Sequence, residues 1–304
     1  MVDFVCSLDE SVRKPARLCH DVCVQPIIKR QAVTVDPMDR SKLPVYPFPL
    51  LITSPFKNMS AKQIIQTAVD SVVQLRQLAM NKPDLAQAVS EVKAFQARRF
   101  TGSYIDLLQT KQYKSATLFF LEELYSEKDY SDRDAQFSRI AGTLERLFPK
   151  QVVQTAVALA QLHCLTEELD LAMAQSWLDN PEPNAITRYI TTWHAVGRRQ
   201  DRNAQLSGAL RVGQELVVLT HTPGLRIALK MMRRPAKLAG MAALQHFLES
   251  GFDTFAAMGN QPDGTDFFLN TVKKRESALI DQLFDASTAA CEADMAQVLG
   301  RPPK

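Results

Sequence analysis

A chain of 304 residues with 36 basic and 33 acidic side chains is too evenly charged for bulk attraction to nucleic acid to define it. Its 46% hydrophobic and 23% charged residues suit a globular protein with a real core, and no apolar run reaches the roughly 20 residues that span a bilayer as a helix. Five cysteines without metal-type spacing argue against a disulfide framework or a zinc site, and the N-terminus lacks the basic-then-apolar pattern of a secretory signal.

Residues 1–58 hold 7 of the 16 prolines, 3 of the 5 cysteines and no glycine. The prolines from Pro44 to Pro55 keep that stretch extended, because proline fixes φ and disfavours helix at the residue before it. The expectation is a poorly structured N-terminal extension, either disordered or a misread segment upstream of a start at Met59. Cys19, His20 and Cys23 offer too few ligands for a convincing metal site.

Helical periodicity begins directly after Met59. Ile64, Ala68, Val72, Leu75 and Ala79 share one stripe over Ala61 to Met80. Pro83 opens a second helix to about Arg99, and a shorter one covers Tyr104 to Leu108. From Tyr113 to Tyr125 apolar residues occupy most of the circumference, which places that helix inside a bundle. Ser131 reads as an N-cap, with Asp132 and Asp134 at the positive end of the helix dipole. Pro149 opens another helix, and Thr166 with Glu167 and Glu168 opens the next, which stops at the turn Asp179 to Pro183. Further helices are expected from Asn184 to Val196 and from Leu206 to Leu219, then a stretch broken by Pro223 and Pro235. Leu238, Met241, Leu248 and Phe252 begin another stripe, Asn260 to Gly264 form a turn, and Phe268, Val272, Leu279 and Leu283 mark the last substantial helix. The pattern predicts an all-α protein, an antiparallel multi-helix bundle of about ten helices over 59–299 with a frayed tail at 300–304. A seam near Asp179 to Pro183 is weaker than the case for one fused domain.

The segment Phe119-Phe120-Leu121-Glu122-Glu123-Leu124-Tyr125 resembles the signature of a bacterial family known as FFLEELY motif proteins. Arg98-Arg99-Phe100, Tyr104, Arg133-Asp134, Gly251-Phe252 and Arg275-Glu276 fit the same resemblance, which covers most of Ala61 to Phe284. It implies a bacterial, intracellular protein and brings no activity, substrate or cofactor with it.

Three charged positions interrupt apolar stripes. Glu123 falls between Ala116 and Phe119 on the signature helix, Glu249 breaks the stripe of the Leu238 helix, and Arg275 lies among Phe268, Val272 and Leu279. A charge in an apolar setting must be paired, hydrogen-bonded or neutralised. The three could form a structural ion-pair network or a pocket whose carboxylate does acid–base work. The acidic residues from Glu122 to Asp134 lack the Glu-x-x-His pairs of a di-iron bundle. The five histidines form no close ligand pair, and His163, read as lying near a helix C-terminus, suits a core or capping role. No nucleophile-elbow, phosphate-loop or dinucleotide pattern occurs.

The run from Leu216 to Leu248 contains no Asp or Glu but carries Arg226, Lys230, Arg233, Arg234 and Lys237 around Met231 and Met232. Such a stretch is either a solvated face, the simpler reading, or a surface for an acidic partner, phosphates or an anionic membrane. The sequence therefore favours a cytoplasmic, non-enzymatic module that binds a protein partner or an apolar small molecule. It implies no cofactor, no metal and no sequence-specific nucleic acid. The alternative is an enzyme built around Glu123, Glu249 and Arg275.

Overall fold

The computed structural model describes residues 59–123, 128, 130–259 and 264–300. These carry thirteen helices and no strand: α1 Ala61–Met80, α2 Pro83–Ser103, α3 Ile105–Gln109, α4 Lys114–Glu123, α5 Ser131–Leu147, α6 Lys150–Asp179, α7 Ala185–Val196, α8 Arg199–Thr220, α9 Leu225–Met231, α10 Arg233–Leu238, α11 Ala242–Gly259, α12 Gly264–Asp285 and α13 Thr288–Leu299. The expected extension at 1–58, positions 260–263 of the expected turn and the tail from 301 lie outside the described residues, and Gly264 already belongs to α12.

Helix starts follow local chemistry. At α1 the Ser60 side chain accepts from the Gln63 amide while Gln63 accepts from the Ser60 amide, a reciprocal capping box. Pro83 occupies the first turn of α2, where its missing amide hydrogen costs nothing. Asn184 caps α7 through the Ile186 amide. Ser131 is instead the first residue of α5, and the capping position belongs to Tyr130, which makes no side-chain cap.

The centre of the bundle is α6. It runs 30 residues without interruption, about 45 Å of helix, and packs against α1, α2, α7 and α8. The expected break at Thr166 does not occur. No glycine or proline stands between Lys150 and Asp179, and the Thr166 hydroxyl accepts from the Gln205 amide of α8 instead of capping a new helix. Consequently His163 lies in mid-helix, not near a C-terminus. The α8 helix lies against α11 and α12, α4 against α11, and α13 across α2 and α7.

Three apolar clusters result. One gathers Phe95, Met173, Trp177, Tyr189, Ile190 and Leu283. A second gathers Phe100, Tyr104, Phe119, Phe120, Phe255 and Phe268, and a third centres on Ile65, Val72, Ala141 and Cys164. The signature helix belongs to the second, with Phe119 stacked on Phe247 at 5.7 Å and Phe120 against Phe268 at 5.5 Å. At Gly102 a Cβ would overlap the Val298 carbonyl oxygen, so α2 and α13 approach only because that position is glycine.

The Leu238 stripe is interrupted. Gly240 takes a left-handed φ of 66° and separates α10 from α11, which leaves Leu238 on α10, 89% exposed. The Arg139 guanidinium of α5 donates to the Ala239 and Gly240 carbonyls, each at 3.0 Å, and holds this turn.

Candidate functional site

The buried charges converge where α1, α2, α5 and α6 meet. Arg76 of α1 donates to Asp134 at 2.9 Å and to Glu167 at 2.9 Å. Lys93 of α2 donates to both Glu167 oxygens at 3.0 Å and stands 3.9 Å from Asp170. His163 Nε2 lies 2.9 Å from Asp134 Oδ2. Asp134, Glu167 and Asp170 are all buried. On α6, positions 163, 167 and 170 are three or four apart, so one helical face delivers all three side chains.

Their electrostatics differ. Burial pushes the Asp134 carboxyl up, but His163, Arg133 and Arg76 outweigh it and leave the group below its ordinary value. Glu167 is likewise raised by burial and lowered further by Lys93, Arg76 and His163. At Asp170 burial wins over the attraction of Lys93, and the nearby Glu167 charge adds to the rise. The Gln96 side chain faces Asp170 and moderates the rise.

Beside this network lies a cavity of about 570 Å³. Its walls come from α4, α5, α6, α8, α9, α10 and α11, with Val69, Lys93 and Gln96 reaching it from α1 and α2. The lining of α6 is graded: Val152, Ala156 and Leu159 are apolar, whereas His163, Glu167 and Asp170 are ionisable. From Val152 to Asp170 the helix rises about 27 Å. The hollow is thus an apolar chamber with a charged end.

The signature helix forms part of its wall through Phe119, Phe120 and Glu123. Glu123 is paired as a charge among apolar residues must be, 3.8 Å from Arg133. Arg133 also donates to the Glu123 carbonyl at 3.1 Å and lies over the rings of Tyr130 and Phe247 at 4.0 and 4.7 Å. Tyr130 donates to the Glu122 carbonyl at 2.6 Å. The C-terminal carbonyls of α4 are therefore satisfied by side chains from the start of α5.

Glu123, Glu249 and Arg275 do not share a site. Glu249 holds the exposed Arg233 at 2.6 Å and accepts from Gln245, tying α11 to α10. Arg275 lies at the surface, where it donates to the Ser103 carbonyl and grips Asp106 at 2.7 Å. The inward charge on α12 is its neighbour Glu276, which accepts from the buried Arg99 at 2.6 Å and from the Tyr104 hydroxyl at 2.9 Å. One residue is 100° of helix, enough to exchange an inward for an outward side chain.

Arg226, Lys230, Arg233, Arg234 and Lys237 are all exposed on α9 and α10. Arg226 pairs with Asp253 and Arg233 with Glu249, so α11 does supply acids to part of this face. Among the described residues no group of three or more Cys, His, Asp or Glu side chains is arranged to hold a metal ion, and no helix is long and apolar enough to cross a membrane.

A family model described as Domain of unknown function (DUF8198) matches residues 75–290. The chain belongs to this family. No curated protein and no solved structure was found to match it. The DUF8198 span contains the charged network from Arg76 to Asp170 and all the cavity lining except Val69. The network is not legible in the sequence: Asp134 has the position of a helix-dipole residue, Glu167 that of a helix start, and Arg76 stands 91 positions from Glu167, a separation that no local period reports.

Proposed function

We propose that this DUF8198 protein binds an amphipathic small molecule without transforming it, the apolar body lying along Val152 to Leu159 and the polar group towards His163 and Asp170. The cavity carries this reading. Protein interiors are close-packed with few voids larger than a water molecule, whereas ligand pockets run from about 300 to 1,000 Å³ and combine apolar walls with a few polar groups. The hollow here matches the second description in size and in lining. Two further readings accompany it: the family is that of the bacterial FFLEELY motif proteins, on the strength of the seven residues from Phe119 to Tyr125, and the protein works in the cytoplasm.

The test is titration of the full chain with a fluorescent long-chain fatty acid and a fluorescent long-chain alcohol, beside the double substitution Ala156→Phe/Ala209→Phe. Both alanines line the cavity, and the added rings occupy it. Saturable binding by the wild type and at least tenfold weaker binding by the filled variant, with cooperative unfolding retained, is the expected result. Failure of both probes to bind, or equal binding by a folded filled variant, refutes the reading.

A further inference from the structure

We infer that α9 and α10 form a docking surface for an anionic lipid bilayer. The inference does not depend on the cavity holding a ligand. The α9 helix contributes no buried residue to the bundle, and in α10 only Ala236 is buried. Ile227, Met231 and Leu238 are 65, 73 and 89% exposed, three large apolar side chains within twelve positions. Ile227 and Met231 stand one helical turn apart and so project side by side.

The cations divide into two sets. Arg226 and Arg233 bind Asp253 and Glu249 of α11, which fastens the segment to the bundle. Among the described residues Arg234 and Lys237 make no ion pair, Lys230 is drawn to Glu249 without a salt bridge to it, and no acidic residue occurs from Leu216 to Leu248. Exposed apolar side chains bordered by Lys and Arg outside salt bridges are the pattern of an interfacial segment, whose apolar side chains enter the acyl boundary while the cations meet lipid headgroups. An acidic protein partner would use the charges but not the separated apolar side chains, whereas a bilayer accommodates both.

The inner side of the same segment gives the surface a consequence. Leu225, Leu229, Met232 and Ala236 line the cavity, and the exposed Met231 borders its lining as well. A bilayer docked on α9 and α10 would therefore lie one helix layer from the hollow, with Gly224 and Gly240, both at positive φ, at the two ends of that layer.

The experiment is flotation of the full chain with phosphatidylcholine vesicles, pure or containing about one third phosphatidylserine. Binding to the anionic vesicles, weakened by high salt and at least tenfold above binding to the neutral ones, is expected. Because each cation near such a surface contributes about 1 kcal/mol, Lys230→Gln/Arg234→Gln/Lys237→Gln should reduce partitioning roughly 100-fold. Ile227→Ser/Met231→Ser/Leu238→Ser should reduce it at least tenfold. All six positions are exposed, so both variants should keep the wild-type helical circular dichroism and melting. Absence of flotation, equal flotation with both vesicle types, or wild-type flotation by either variant overturns the inference. So does retention on heparin by a chain that ignores the vesicles, which would assign the face to a soluble polyanion.

Discussion

Arg76 offers the sharpest test of how the buried charges act. Its guanidinium spans two carboxylates from different helices, Asp134 of α5 and Glu167 of α6, both at 2.9 Å. Arg76→Met keeps the aliphatic stem and removes the charge. Deleting one partner of a buried ion pair costs about 3–5 kcal/mol, because the other charge stays in a poorly solvated place. Here Asp134 retains His163, Glu167 retains Lys93, and the Arg76 side chain is itself 19% exposed. These mitigations place the loss at the low end, about 3 kcal/mol. In a helical unit of this size each kcal/mol moves the midpoint by about 2–4 °C, so the melting temperature should fall by about 6–12 °C. Urea unfolding followed by far-ultraviolet dichroism gives the free energy directly. The decisive comparison repeats Arg76→Met in an Asp134→Asn/Glu167→Gln background, where its cost should drop below about 1 kcal/mol. A loss under about 0.5 kcal/mol in the wild type, the scale of a surface pair, or an equal loss in both backgrounds, refutes the reasoning.

Two further outcomes can be measured on the same apparatus. Asp134 and Glu167 titrate below their ordinary values of 3.8 and 4.5, so the stability they add is complete at neutral pH. It should drain away as the pH falls from about 5 towards 3 and through their lowered folded values. Asp170 works in the opposite sense, its raised value making ionisation costly as the pH rises above 3.8. Glu167→Gln should flatten the acid limb of the stability curve, and a limb parallel to the wild type contradicts this account. Gly102→Ala should destabilise by about 1–3 kcal/mol, the cost of overpacking, because its Cβ meets the Val298 backbone. Gly142→Ala meets only the flexible Lys62 chain at 3.3 Å and should stabilise by about 0.5–1 kcal/mol through helix propensity. Equal effects from the two glycine substitutions in urea would be inconsistent with the helix approach described.

Features that act over a few residues were legible in the sequence. Pro83 opened a helix, another ran as expected from about Asn184 to Val196, and the apolar girth of the signature segment placed it inside the bundle. Boundaries without local punctuation were not. The polar start of α8 at Arg199 concealed seven helical residues ahead of Leu206, and α13 buries only Cys291 and Met295, too little to draw a stripe. The interior charges were mislocated for a related reason. Arg275 and Glu276 are adjacent and both unusual among apolar neighbours, and periodicity could not say which one turns inward. The answer depends on Arg99, 177 positions away. Glu123 was placed correctly as a charge needing a partner, because both its problem and its solution lie within ten residues.

The length of α6 has a thermodynamic corollary. This single rod supplies Leu171 through Trp177 to the first apolar cluster, Leu159 to the second, and Ala160 with Cys164 to the third. None of the three can come apart while its neighbours stay whole without uncovering part of the helix on which all three are built. Denaturation should therefore be all-or-none despite the multiplicity of cores, and a lesion at either tip of the rod should lower the resistance of the whole assembly to melting.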